Sequence, residues 1–200
     1  MASASGQSDM THGCIVMASG LGKRFGGNKL MAPLAGRPLV GHAIDAADGL
    51  FARCVVVTRS AEVVRYCEQR GAAVVLHDDS GRNDTVRHGM DALGECDAVT
   101  FLQGDQPLIS ANTLDRLLRA AEDDSNAIWR VSHGGMVGSP VLFPPWAFDE
   151  LRALPEGKGG GFIAKKYPER VRLLPVRDNL ELMDVDTQED LLFLQGVFGR

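Results

Sequence analysis

From Gly13 onward, short β-branched runs alternate with amphipathic stretches. Apolar runs at Cys14-Met17, Cys54-Thr58, Ala73-Leu76 and Ala98-Gln103 predict buried strands. Between them, Pro38-Gly49, Ala61-Arg70 and Asp84-Leu93 carry apolar residues at three- and four-residue spacing, as helices with one face on a core do. Such alternation feeds a mostly parallel sheet covered by helices on both faces, so the chain reads as an α/β fold. A helix at Thr113-Ala121 follows, with Ser110 and Asn112 as caps.

The second half is less regular. It predicts strands at Ile128-Ser132, Pro140-Phe143 and Val171-Pro175, a helix around Ala147-Leu154, and a glycine run from Gly157 to Gly161. The last helix has a defined start, because Thr187 and Asp190 stand three apart as in a capping box. No repeat or composition break divides the chain. The expectation is one domain over residues 13–200 behind a polar, disordered leader over residues 1–12.

Two hundred residues with 44% hydrophobic and 24% charged positions are enough for a core without disulfide or metal staples. The net charge of -5 and pI near 5.5 exclude a general cationic field, so nucleic acid is not an expected partner and a small ligand is. Cys14, Cys54, Cys67 and Cys96 stand singly beside apolar residues, as reduced core thiols do. No apolar run approaches the roughly 18 residues of a membrane span, and no signal-peptide pattern opens the chain. These features predict a cytoplasmic protein with no membrane partner.

The strongest chemical signal follows the first strand, in Met17-Ala18-Ser19-Gly20-Leu21-Gly22-Lys23-Arg24-Phe25-Gly26-Gly27-Asn28-Lys29. Its glycines allow close backbone approach, so N–H groups can face phosphate oxygens. Arg24 and Lys29 supply charge for a departing pyrophosphate and are the leading catalytic candidates. The loop departs from G-x-x-x-x-G-K-[ST], because no Ser or Thr follows the lysine, and from G-x-G-x-x-G, because Phe25 replaces the third glycine.

Phosphoryl-type transfer also calls for a dication held by one or two carboxylates. Asp105 stands just past the strand Ala98-Gln103, at the sheet end where such folds bind ligands. The second carboxylate is assigned to Asp186, with Asp184 as alternative, because residues i and i+2 of an extended segment share one side. The turn Asp78-Asp79-Ser80-Gly81-Arg82-Asn83-Asp84-Thr85 opens a helix at the same edge. Ser80, Gly81 and Thr85 are its base-recognition candidates and Arg82 a phosphate contact, although Asp84 and Thr85 also read as ordinary caps. His12, His42, His77, His88 and His133 show no metal-ligand spacing and read as core or surface residues.

The loop resembles the L-A-A-G-x-S/G-x-R-x-G-x-x-K signature of the molybdenum cofactor nucleotidyltransferases. The likeness continues in Pro33-Leu34-Ala35-Gly36-Arg37-Pro38-Leu39, Gly104-Asp105-Gln106-Pro107, Gly138-Ser139-Pro140-Val141-Leu142-Phe143-Pro144 and Asp184-Val185-Asp186-Thr187-Gln188-Glu189-Asp190. This resemblance implies a single-domain Rossmann-like fold of the GT-A type. It also implies Mg²⁺ at Asp105, and a nucleotide site at Ala18, Ser19, Gly20 and Gly22.

Within that group the chain is most similar to the cytidylyltransferases, which move CMP from CTP to the terminal phosphate of molybdopterin with release of pyrophosphate. Ala18 and Asn28 stand where the guanylyl enzymes have Gly and Asp, and the Ala18 Cβ is expected to narrow the base pocket. The resemblance also brings the 78–85 turn to base and ribose, makes Lys158 an acceptor-phosphate contact unless the glycine run is only a solvated lid, and suggests a molybdenum-enzyme chaperone as product recipient. The rivals are guanylyl transfer to molybdopterin, cytidylyl transfer to a sugar or polyol phosphate, and a nucleotide-binding module without catalysis.

Overall fold

The computed structural model describes residues 10–20 and 22–198. Residues 1–9 of the expected leader, and Leu21 of the glycine loop, lie outside them. The described part of that leader differs from the expectation, because the first strand, β1 (His12–Ala18), already includes His12, which is buried.

A short hairpin of β2 (Pro33–Leu34) and β3 (Arg37–Pro38) leads into α1 (Leu39–Ala47). Then β4 (Arg53–Thr58), α2 (Ala61–Gln69), β5 (Ala73–Leu76), α3 (Arg82–Leu93), β6 (Ala98–Gln103) and α4 (Ala111–Asp123) alternate as the periodicity predicts. The second half holds β7 (Ile128–His133), β8 (Met136–Phe143), α5 (Phe148–Arg152), α6 (Gly161–Lys166), β9 (Val171–Pro175) and α7 (Gln188–Phe198). The helix expected over Ala147-Leu154 is split, since Pro145–Ala147 forms a 3-10 turn before α5.

The strands form a seven-stranded sheet in the order β5-β4-β1-β6-β8-β7-β9. Every pairing is parallel except those of β8, which is antiparallel to both β6 and β7. The chain leaves β1 toward β4 and β5 and returns to β6 on the other side, so the order reverses at β1. In open α/β sheets that reversal opens a crevice at the strand carboxyl ends. Among the described residues no helix is long and apolar enough to cross a membrane.

Alternate residues of β1 serve opposite faces, as a strand's two-residue period requires. Ile15 packs with Val86, Met90 and Leu93 of α3. Cys14, Val16 and Ala18 pack with α1, α2 and α4 through residues such as Val40, Val63 and Leu114. Each such aliphatic side chain contributes about 1.5–3 kcal/mol by leaving water. Helix α3 lies unusually close to β1: a Cβ on Gly89 would meet Ile15 Cγ2 at 2.6 Å, and one on Gly13 would meet Leu93 Cδ2 at 2.3 Å. That approach sets the start of α3 at the crevice.

Candidate active site

The crevice is a cleft of about 750 Å³ at the carboxyl ends of β1 and β6. One wall is the glycine loop. Gly22 has φ +58, and its carbonyl accepts the N–H groups of Phe25 at 2.9 Å and Gly26 at 3.0 Å. A Cβ at Gly22 would stand 2.2 Å from the Gly27 carbonyl oxygen, so both conformation and space demand glycine. The loop then turns Lys29 inward, where its side chain is only 7% exposed.

Opposite stand three aspartates. Lys29 Nζ lies 2.6 Å from Asp105 Oδ2 and 2.7 Å from Asp186 Oδ1, while Arg24 Nη2 reaches Asp186 Oδ2 at 2.5 Å. Burial alone would lower the Lys29 pKa, but the two carboxylates overcome that and raise it, so the ammonium stays charged. Asp186 is held below its usual value, first by its hydrogen bond from Lys29.

Asp184 behaves differently. Its residue surface opens to the cleft, yet surrounding protein desolvates the carboxyl, and Asp105 and Asp186 repel its charge. Together these push its pKa up to about 6. Three carboxylates gathered beside Lys29 and Arg24 are a donor set suited to a hard dication such as Mg²⁺. Asp184 and Asp186 both line the cleft.

Local folding places these carboxylates. The Val185 N–H donates to the Asp105 carbonyl at 2.9 Å, which joins the segment before α7 to the turn after β6. The expected capping box is present: Asp190 N–H donates to Thr187 Oγ1 at 3.1 Å, and Asp190 Oδ2 accepts from the Asp186 and Thr187 N–H groups. Gly104 completes the junction, with its N–H on the Met17 carbonyl at 3.0 Å.

The third wall is the turn from β5 into α3. Ser80, Gly81 and Thr85 line the cleft there, joined by Arg82. The N-cap is Gly81 rather than Asp84 or Thr85, and Asp84 Oδ2 accepts the Gly81 N–H at 3.1 Å. A Gly81 Cβ would fall 2.5 Å from that carboxylate.

Residues 14–171 match the MobA-like NTP transferase domain. The chain belongs to the MobA-like NTP transferase family. Among curated relatives, the bifunctional protein GlmU of Azoarcus sp. (strain BH72) is 38% identical over 125 residues, covering 58% of this chain and 27% of that one. The chain thus spans about a quarter of that relative's length.

Solved structures of two proteins share the fold of this MobA-like domain. Rv0371c from Mycobacterium tuberculosis H37Rv superposes with a TM-score of 0.82 at 24% identity, covering 94% of this chain and 98% of that one. It is also known as a manganese complex, which superposes with a TM-score of 0.75 at 22% identity over the same shares. Molybdopterin-guanine dinucleotide biosynthesis protein A from Archaeoglobus fulgidus gives 0.73 at 18% identity, covering 94% and 98%.

Ser19, Gly20, Gly22, Arg24, Lys29, Asp105 and Asp186 all line this cleft. Ala18 requires a correction. It is 1% exposed and packs in the core with Cys14 and Val16, because the strand period turns it away from the cleft. Its Cβ therefore does not narrow the base pocket.

Asn28 also faces elsewhere, donating from Nδ2 to Ser60 Oγ at 2.9 Å and Glu62 Oε2 at 2.6 Å at the start of α2. The Ser19 hydroxyl is committed to the scaffold, on the Val57 carbonyl and His77, so its backbone is what remains for a ligand. Lys158 is exposed and outside the cleft lining. The glycine run around it is packed rather than a free lid: Gly157 N–H donates to Asn83 Oδ1 at 2.8 Å, and a Gly160 Cβ would meet the Phe143 ring at 2.9 Å.

Cleft residues that the sequence reading missed are Leu30, Arg59, Gln103 and Ser139. Ser139 lies inside the Gly138-Pro144 motif and Gln103 ends the strand before Asp105, so both carried a signal. Arg59 follows β4 with no motif to mark it.

Proposed function

We propose that the chain transfers a nucleoside monophosphate from a nucleoside triphosphate to a phosphorylated acceptor. The carrying observation is the meeting of Lys29 with Asp105 and Asp186, at 2.6 and 2.7 Å, beneath a glycine loop. An acceptor phosphate oxygen attacks the α-phosphorus in line. The new P–O bond forms as the bond to the α,β-bridging oxygen breaks, and pyrophosphate leaves. The nucleophile is already anionic near neutral pH, so the work is positioning and charge neutralisation.

Backbone N–H groups at Gly20 and Gly22 cradle phosphate oxygens, Arg24 and Lys29 offset the leaving-group charge, and Ser80, Gly81 and Thr85 face the base. Asp105, Asp184 and Asp186 would hold Mg²⁺, which when bound binds triphosphate oxygens and neutralises their charge. The manganese complex of Rv0371c supports a dication in this fold.

The acceptor we favour is the molybdopterin form of the molybdenum cofactor, with CTP as donor and a molybdenum-enzyme chaperone as recipient. Support comes from the family and from the fold shared with the A. fulgidus protein. A second reading, guanylyl transfer to the same acceptor, gains weight because neither Ala18 nor Asn28 faces the cleft. Pyrophosphate release with CTP, GTP, ATP and UTP, each with molybdenum cofactor, a polyol phosphate or no acceptor, tests both readings. Release with CTP only when molybdenum cofactor is present is the expected result. A GTP preference selects the second reading, and no release with any pair overturns transfer itself.

A further inference from the structure

Behind the base-side wall, outside the cleft lining, His77, Asp79 and His88 bring one ligand atom each within 4.8 Å of one another. His88 Nε2 is 2.6 Å from Asp79 Oδ2, and the rings of His77 and His88 lie 4.8 Å apart. His77 leaves β5 at its carboxyl end, whereas His88 is on α3, so tertiary packing assembles the cluster.

One nitrogen of His77 stands out. The Ser19 hydroxyl lies 3.1 Å from the Val57 carbonyl and 2.8 Å from His77 Nε2, and Thr85 Oγ1 lies 3.4 Å from the same nitrogen. When Ser19 donates to the Val57 carbonyl, the imidazole proton sits on Nε2 and the lone pair on Nδ1. His77 is 8% exposed, and its Nδ1 is buried without a hydrogen-bond partner among the described residues. A buried acceptor without a donor is unfavourable unless a ligand uses it. Burial, then repulsion by His88, also lowers the His77 pKa and so favours the neutral imidazole, the form that binds metals.

We propose that His77, Asp79 and His88 form a site for a transition-metal dication of the zinc class, chemically distinct from the carboxylate cluster of Asp105, Asp184 and Asp186. Two imidazoles and a carboxylate match the donor preference of zinc and leave a fourth position for water, whereas an all-carboxylate set suits magnesium. The Nε2–H bond to Ser19 orients the His77 ring as outer partners of metal-bound histidines do. Arg87 lies 3.6 Å from Asp79 Oδ2 but closer, at 3.1 Å, to Asp84 Oδ1, where it remains when Asp79 turns to the metal. The ion would tie the exit of β5 to α3 and fix the Ser80-Gly81 turn over the cleft.

The test titrates untagged protein with Zn²⁺ by calorimetry and with Co²⁺ by visible absorption, in wild type, Asp105→Asn and His88→Ala. One equivalent should bind wild type and Asp105→Asn alike, with the Co²⁺ bands of a four-coordinate site. His88→Ala should weaken it by about 100-fold or more, the scale at which even supporting residues around metal sites act. Zn²⁺ binding that survives His88→Ala and disappears in Asp105→Asn would place the ion among the carboxylates and overturn the proposal. Zn²⁺ binding no tighter than Mg²⁺ would do the same. If His88→Ala fails to fold, wild-type Co²⁺ spectra that lack nitrogen-ligand character decide against the site.

Discussion

The Asp186 N–H donates to the Asp190 carboxylate at 2.9 Å, and the Asp186 side chain pairs with Lys29 at 2.7 Å. Helix capping and cleft electrostatics therefore meet in adjacent atoms. Asp190→Ala removes the acceptor for two backbone donors at the start of α7, a change worth about 1–2 kcal/mol of stability. Turnover should fall beyond what lost stability explains, because Asp186 loses its anchor. Asp190→Asn keeps an oxygen acceptor and should retain most of both, as chemical denaturation and pyrophosphate release will show.

Lys29→Ala leaves Asp105 and Asp186 facing each other without their shared cation. We expect a turnover loss of about 10²–10³, the scale of removing one preorganised charge-stabilising donor. Asp105→Ala should lose a similar factor and also weaken Mg²⁺ dependence. Near wild-type turnover in either, with the fold intact by circular dichroism, would remove these residues from the chemistry.

Gly22→Ala places a Cβ against the Gly27 carbonyl at a residue with φ +58. A left-handed conformation alone costs a non-glycine residue roughly 1–2 kcal/mol. The loop should change shape, so triphosphate binding should weaken severalfold or more while the melting temperature changes only modestly, because the loop is at the surface.

Asn28→Asp tests which feature selects the base. In place of the donor to Glu62 it sets a second carboxylate beside that group, and the lost bond costs about 1 kcal/mol. The CTP-to-GTP preference should stay as it was. A switch toward GTP would show that Asn28 acts on the base from outside the cleft.

Buried histidines give the pH dependence of stability its main sign, which Asp184, with its pKa pushed up to about 6, partly opposes by binding a proton in the folded state. His12, His42 and His77 all have pKa values lowered from 6.5, in each case first by burial. The unfolded chain then binds protons that the folded chain refuses. Their contribution is complete above 6.5 and is lost as the pH falls from there toward the folded values. Melting temperature should drop between pH 7.5 and 5.5. His42→Gln, which retains a donor for the Leu34 carbonyl now bonded at 2.9 Å, should flatten that drop.

The first half of the sheet was legible because β1, β4, β5 and β6 are continuous apolar runs, with helical periodicity between them. Helix α6 was not. Its six residues follow glycines, and what fixes it is packing of Ile163 and Ala164 onto the core that holds Leu151 and Phe143. The hairpin of β2 and β3 is too short to show a period. In the site, motif residues were readable one by one, but the Ser19-His77 contact joins positions 58 apart, beyond any local pattern. The direction of Ala18 was readable, since Cys14, Val16 and Ala18 share one parity.

The bond between Val185 and Asp105 has a further meaning for the order in which the domain is made. Of the described residues that line the cleft, Asp184 and Asp186 come last along the chain, and both lie beyond the matched stretch 14–171. A nascent chain that has completed β1 through β9 already carries its glycine loop and Lys29, but that lysine has only Asp105 for company. The charge pattern around Lys29 is thus completed by the segment 184–186 just ahead of α7, once that segment docks on the turn after β6.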